Sequence, residues 1–318
     1  MIEGQKIIIT GGGGFIGSHL ADKLAASNDV TVIDHFSKDA PENLNKSRDN
    51  IKIIKADLST PVFDPSIFKS TNIVFHLASF VGSYHYYQDK ALEVLVKNTQ
   101  IDHNVFKAAE EYGVEKVFYA SSSHVYPKEL QVSENSLPLK EEDAYPANPS
   151  LSYGWNKLSS EKYLSYCGDK FKVAIARYNG IYGPRQSTDL HKGSIIPVLI
   201  ERAKKYPDLE YKILTQGHEK RAFCYVDDAI EGTLKIIEAL DDASCVGPLN
   251  IGMEKTTTIL SLAHTIRDLI NPSIALQVAD PPLVPEILCQ YCDCSKALVE
   301  IGWKATTSVE QGIEKILK

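Results

Sequence analysis

Tyr153 and Lys157 stand four residues apart in the run Tyr153-Gly154-Trp155-Asn156-Lys157. On a helix that spacing puts a phenol and an ammonium on one face, one turn apart. A free phenol ionises near pH ~10, too high for a base at neutral pH. A neighbouring cation favours the phenolate, so such a pair can take a proton from a substrate hydroxyl. A second polar run, Ser121-Ser122-Ser123, closes a strand-like segment upstream. Ser122 there could hydrogen-bond the same substrate oxygen. The pattern reads as alcohol oxidation.

Alcohol oxidation needs a hydride acceptor, and the N-terminal run supplies a place for one. Gly11-Gly12-Gly13-Gly14-Phe15-Ile16-Gly17 follows the strand-like Lys6–Thr10 and opens a helical stretch. Gly11, Gly14 and Gly17 form G-x-x-G-x-x-G. Glycine there permits a tight turn, backbone approach to a pyrophosphate and close helix–strand packing. The helix N-terminus, with Phe15 and Ile16 in its first turn, then aims amides and positive dipole at the phosphates. Asp34 ends the second strand-like run, where a carboxylate accepts both ribose hydroxyls and repels a 2′-phosphate. NAD rather than NADP is expected as cofactor.

The elements that must position these groups alternate. Apolar β-branched runs occur at Lys6–Thr10, Val30–Asp34, Ile51–Asp57, Ile73–Ala78, Lys116–Ser122 and Val173–Tyr178, with helical periodicity between them, clearest over Ala91–Tyr112. Strands separated by helices predict an α/β fold with a doubly wound, parallel Rossmann sheet. Residues 1–178 form the NAD-binding domain, and 226–252 return to it. The remainder of 179–318 forms a smaller, discontinuous substrate-binding lobe. Within it a strand is expected at Tyr211–Leu214, followed by a polar stretch. The tail reads as a Pro-rich loop, Pro281–Pro285, then two short helices.

The 318 residues are 43% hydrophobic, enough for a large core, and the net charge is −7. That balance argues against nucleic-acid or anionic-membrane partners. No apolar run approaches the ~20 residues of a membrane span, and the N-terminus does not read as a signal peptide. A cytoplasmic location follows. The six cysteines are expected as free thiols. Cys289, Cys292 and Cys294 cluster, as a metal site or as reduced thiols; with no second ligand pair at suitable spacing, no metal is expected.

Taken in order, GGGGFIG, Asp34, His76-Leu77-Ala78, Asn98, Ser122, Tyr153/Lys157, RYNGIYGP (177–184), RAFCYVDD (221–228) and LNIG (249–252) resemble the extended short-chain dehydrogenase/reductase family. The resemblance spans nearly the whole chain and implies an NAD-dependent enzyme acting on a nucleotide sugar. It implies cofactor contacts at Asp57, Leu58, Leu77, Ala78 and Asn98, and a homodimer through Ala91–Tyr112 and Tyr153–Cys167.

Within the family the chain is most similar to the GDP-mannose 3,5-epimerase group, through YASSSHVYP (119–127) and LKEEDAYPANPSLSYGWNK (139–157). In that group an acid/base stands two residues before the Tyr that here is Tyr126, so His124 takes the slot. Lys192, in His191-Lys192-Gly193-Ser194, matches the group's partner lysine. Oxidation at sugar C4 acidifies the C3 and C5 hydrogens. A histidine of near-neutral pKa suits their removal, with Lys192 returning a proton from the opposite face. Gly82, Ser83, Tyr84, Ser123, Asn179, Lys192 and Arg221 are the expected substrate contacts, Arg221 at the diphosphate. The aromatics of 81–87 either stack on the substrate or are plain surface rings.

The chain departs from the pattern in carrying Gly180 where the family has asparagine, and Gln290 and cysteines where it has a diphosphate arginine near Asp293. These changes point to a nucleotide hexose or heptose other than GDP-mannose, with a GDP-sugar favoured. A 4-epimerase, 4-dehydrogenase or 4,6-dehydratase, and more remotely a non-catalytic NAD-binding regulator, are the competing readings.

Overall fold

The structure, a computed structural model, describes residues 2–36, 41–44, 50–60, 63–82, 87, 89–190 and 193–318. Seven strands form one parallel sheet: β1 (Lys6–Thr10), β2 (Asp29–Asp34), β3 (Ile51–Lys55), β4 (Ile73–His76), β5 (Lys116–Ser122), β6 (Lys172–Tyr178) and β7 (Cys245–Ile251). Their spatial order is β3-β2-β1-β4-β5-β6-β7. β1 therefore lies between β2 and β4, and the strand order reverses there. Crevices that bind ligands open at the carboxyl ends of strands at such a point. The register brings those ends level: Thr10 pairs with His76, His76 with Tyr119, and Ser122 with Tyr178.

Side chains alternate across the strands, and both faces are buried, as parallel sheets require. Ile7 and Ile9 of β1 enter one core with Val30, Val32, Phe75 and Phe118. Ile8 enters the other with Ile33, Val74, Val117 and Tyr119. The first core packs beneath the Phe15–Leu24 and Val226–Ala239 helices, and the second beneath the Ala91–Glu111 helix.

Beyond β6 the chain builds small sheets. Ile181–Tyr182 pairs with Cys224–Tyr225, Lys212–Thr215 with Gln277–Leu283, and Lys220–Ala222 lies between Thr256–Thr258 and Cys289–Gln290. Two expectations need correction. The polar stretch after Leu214 contains the strand Lys220–Ala222. The Pro-rich segment is not simply a loop, because a strand runs through Pro281 and Pro282 to Leu283. Pairing skips from Val278 to Leu283, so the prolines sit where no regular ladder bond is needed. Cys289, Cys292 and Cys294 are buried free thiols. Among the described residues no three His, Cys, Asp or Glu side chains are grouped to hold a metal ion, and no helix is long and apolar enough to cross a membrane.

Candidate active site

The glycine loop explains its own composition. Gly11 has φ +69°, and a Cβ there would lie 2.7 Å from the Ala78 amide nitrogen. A Cβ on Gly17 would collide with the Gly11 carbonyl oxygen. Any side chain would close the cradle between β1, the end of β4 and the Phe15–Leu24 helix. Asp34 holds the loop from the side: Oδ2 accepts from the Gly13 amide at 3.0 Å and Oδ1 from the Phe36 amide at 2.8 Å. Asn43 Nδ2 donates to the Gly13 carbonyl at 3.1 Å. Asp57 Oδ1 accepts from Ser59 Oγ at 2.7 Å and from its amide at 2.9 Å. Partial burial raises the Asp57 pKa, but these bonds outweigh it and hold the carboxyl below its ordinary value.

At the end of β5 the chain turns into the short 3-10 helix Ser123–Val125, which Ser122 caps by accepting from the His124 amide at 3.2 Å. The His124 ring folds back, with Nδ1 3.0 Å from Ser122 Oγ. The Ser152–Leu164 helix meets this turn at Gly154, where a Cβ would strike the His124 carbonyl. That glycine lets Tyr153 approach. The His124 and Tyr153 rings lie edge to face with centroids 5.6 Å apart. Lys157 is buried, its Nζ 4.6 Å from the Tyr119 ring centroid and 5.6 Å from that of Tyr153.

Burial pushes the Tyr153 phenol well above its ordinary value, with the charges of Tyr87 and Asp102 adding to the rise and a hydrogen bond with Ser122 opposing it. Burial pulls Lys157 down against the charges of Asp102 and Glu161. His124 departs from expectation. Burial first, and the Arg221 charge second, push its pKa down to about 4, so the imidazole is neutral at pH 7 rather than poised near it.

These groups line one crevice of about 710 Å³. Gly11, Gly14, Phe15, Ile16, Gly17, Asp34, Asp57, Leu58, Leu77 and Ala78 meet there with Gly82, Ser122, Ser123, His124, Tyr153 and Lys157. Three predicted residues are not in its lining. The Asn98 side chain instead clamps the backbone of Phe80, accepting from its amide at 2.6 Å and donating to its carbonyl at 3.2 Å. Asn179 is buried, with Nδ2 unpartnered. The Arg221 guanidinium donates to the carbonyls of Lys220 and Ile287, both at 2.8 Å. Ser83, Tyr84 and Lys192 lie outside the described residues. Two residues that the sequence marked without a definite role also line the crevice: Tyr87, from the aromatic run 81–87, is buried in its wall, and Gln290, at the place of the family's diphosphate arginine, pairs with Arg221 in register.

A glycine cradle at the switch point of a doubly wound sheet, opening onto a buried Ser, Tyr and Lys, defines a dinucleotide-dependent enzyme of the extended short-chain dehydrogenase/reductase kind. The profile of the "NAD dependent epimerase/dehydratase family" matches residues 7–252, and the chain belongs to that family of NAD-dependent nucleotide-sugar enzymes. It is 30% identical over 325 residues to a UDP-N-acetyl-alpha-D-glucosaminuronate decarboxylase of Bacillus cytotoxicus, covering 99% of this chain and 97% of that protein. It is 25% identical over 313 residues to GDP-mannose 3,5-epimerase of Arabidopsis thaliana, covering 98% of this chain and 81% of that protein. Its fold matches the UDP-N-acetylglucosamine 4-epimerase from Methanobrevibacter ruminantium M1, solved with UDP-N-acetylmuramic acid, at TM-score 0.87 and 29% identity over 99% of this chain and 98% of that one.

Proposed function

We propose that the protein is a nucleotide-sugar epimerase that oxidises its substrate transiently at C4 and exchanges protons at C3 or C5. The contact of His124 with Ser122 and Tyr153 carries this reading, because it sets an ionisable ring against the alcohol-oxidising pair. The cradle fits NAD: a Cβ would fill it at Gly11 or Gly17, and Asp34 offers a carboxylate beside it. Gly11, Gly14, Phe15, Ile16 and Gly17 hold the diphosphate, Asp34 a ribose, Asp57, Leu58, Leu77 and Ala78 the remaining walls, and Tyr153 and Lys157 the second ribose. Asn98 acts one step back by fixing Phe80. NAD, when bound, supplies the hydride acceptor and returns the hydride.

Tyr153 takes the proton of the C4 hydroxyl, Lys157 steadies the phenolate, and Ser122 donates to the same oxygen. The ketone acidifies the neighbouring C–H bonds. Neutral His124 takes one of those protons at Nε2, provided Nδ1–H donates to Ser122 Oγ. Lys192 returns a proton from the other face, and Gly82, Ser83, Tyr84 and Ser123 hold the nucleotide sugar. A GDP-sugar is favoured by the blocks shared with the GDP-mannose 3,5-epimerase group. The Ala91–Glu111 and Ser152–Leu164 helices expose Leu92, Val96, Trp155 and Tyr163, which supports a homodimer.

Turnover in deuterium oxide tests the reading. Deuterium at C3 or C5 of the product is expected, and none after full turnover sinks it. The low proton affinity of His124 favours a second reading, a simple 4-epimerase in which His124 only hydrogen-bonds the sugar. That enzyme exchanges nothing with solvent and largely survives His124→Ala.

A further inference from the structure

Behind the proton-transfer set lies a carboxylate that the reaction above does not use. Asp102, on the Ala91–Glu111 helix, is 3% exposed. Its Oδ1 accepts from His76 Nε2 at 2.9 Å. Its Oδ2 accepts from the Tyr119 hydroxyl at 2.9 Å, the Asn156 amide at 3.1 Å and Ser160 Oγ at 2.6 Å. A carboxyl ringed by donors is an anion, since a protonated one would need an acceptor of its own.

His76 does not neutralise it. Thr10 Oγ1 accepts from the Ala78 amide at 3.3 Å and lies 2.7 Å from His76 Nδ1. In a neutral ring Nε2 carries the one hydrogen toward Asp102, and bare Nδ1 accepts from the Thr10 hydroxyl. Burial lowers the His76 pKa against Asp102, in keeping with a neutral ring. A buried anion among neutral donors needs a cation nearby. Lys157 is that cation: it is 2% exposed, and its Nζ stands over the same Tyr119 ring whose hydroxyl binds Asp102. The other carboxylate near Lys157, Glu161, is engaged by Arg177 at 2.6 Å and by Ser121.

We propose that Asp102 is a positioning residue for the reaction, the counter-ion that keeps Lys157 an ammonium beside Tyr153 and so sets the pH window in which Tyr153 can exchange protons. This rests on the catalytic reading of Tyr153 and Lys157. The ionisable groups facing this layer are His76 from β4, Tyr119 from β5, Arg177 from β6, Tyr153 and Glu161 from the Lys157 helix, and Tyr87 across the crevice. Removing the Asp102 charge lets Lys157 lose its proton at lower pH. Its effect on Tyr153 is twofold, because the carboxylate repels the phenolate directly and sustains the ammonium that attracts it. The direct readout of its role is therefore the proton on Lys157.

The ionisation of Lys157 in the NAD-loaded protein, followed against pH by the NMR shift of its carbon-labelled Cε, tests this without a substrate. Comparison with Lys157→Arg assigns the signal. In Asp102→Asn the pH at which Lys157 loses its proton should fall by about one unit with NAD still bound. A purely structural role for Asp102 would leave that pH unchanged. If Asp102→Asn does not fold, Asp102→Thr keeps a hydroxyl for the same partners and gives the same comparison. A Lys157 step that neither variant lowers overturns the role of Asp102 alone. If Tyr153→Phe or Lys157→Arg turns over a nucleotide sugar as fast as the wild type, the catalytic reading fails, and this inference with it.

Discussion

The ring of Tyr87 lies flat on that of Tyr153, with centroids 4.9 Å apart and planes inclined by 14°. His124 meets both rings edge to face, at 6.1 Å from Tyr87 and 5.6 Å from Tyr153. Three rings thus brace one another in the crevice wall, and the orientation of the phenol depends on its neighbours as well as on its own helix. Aromatic pairs are worth roughly 0.5–1.5 kcal/mol beyond their burial. Tyr87→Ala should therefore lower kcat about three- to tenfold, whereas Tyr87→Phe, which keeps the stack, should stay near wild type. Full kcat in Tyr87→Ala, measured on a nucleotide sugar that the wild type turns over, would show that the stack does not orient Tyr153.

His124 makes stability depend on pH. Its folded-state pKa of about 4 lies below the ordinary 6.5, so the unfolded chain binds its proton first as pH falls. Stability carried by the neutral ring is complete above pH 6.5 and is lost as pH drops toward 4. For a partly buried group the loss is roughly 1–3 kcal/mol. His19 and His76 are also depressed and add losses of the same sign. His124→Gln should flatten part of the acid limb of Tm against pH and leave the neutral plateau in place. Superimposable acid limbs for the two proteins would refute the depressed value.

The main sheet was legible because β1, β4 and β5 are apolar runs that only a doubly covered parallel sheet can bury. The glycine loop was legible because Gly11 and Gly17 answer steric demands that no other residue meets. The small sheets of the lobe were not. Lys220–Ala222, Thr256–Thr258 and Cys289–Gln290 are too short to show a period, and their pairing is fixed by distant chain. Asn98 was assigned to the cofactor from its place in a motif, yet its amide satisfies the Phe80 backbone. Asp102 stayed hidden because one acid on an amphipathic helix reads as solvated; only the fold sets it opposite His76, Tyr119 and Ser160. The proton affinity of His124 depends on burial, which a single sequence does not give.

Asp34 has two duties that substitution separates. It anchors the Gly13 amide, and its carboxylate faces the crevice where a ribose would lie. Hydrogen bonds to a charged group are worth about 1.5–3 kcal/mol, so Asp34→Ser should weaken NAD binding roughly 10- to 100-fold. Loss of the negative charge should also narrow the preference for NAD over NADP. Calorimetry with both dinucleotides reads both effects. Unchanged affinity for NAD and continued rejection of NADP would mean that Asp34 serves the loop alone.

Gly154 offers a way to separate cofactor binding from chemistry. A Cβ there would strike the His124 carbonyl oxygen, lie 2.9 Å from its carbon and 2.9 Å from Pro149 Cβ. None of these atoms belongs to the glycine cradle. Relief must come by moving the Ser123–Val125 turn away from the Ser152–Leu164 helix, which spreads His124 and Ser122 from Tyr153. Overpacking of this kind costs about 1–3 kcal/mol. Gly154→Ala should therefore fold with a lowered Tm and bind NAD with near-native affinity. Its kcat should fall by more than tenfold, because reacting groups lose rate steeply when displaced by about 1 Å. Near-native kcat in a folded Gly154→Ala would mean that the close approach of turn and helix has no part in the reaction.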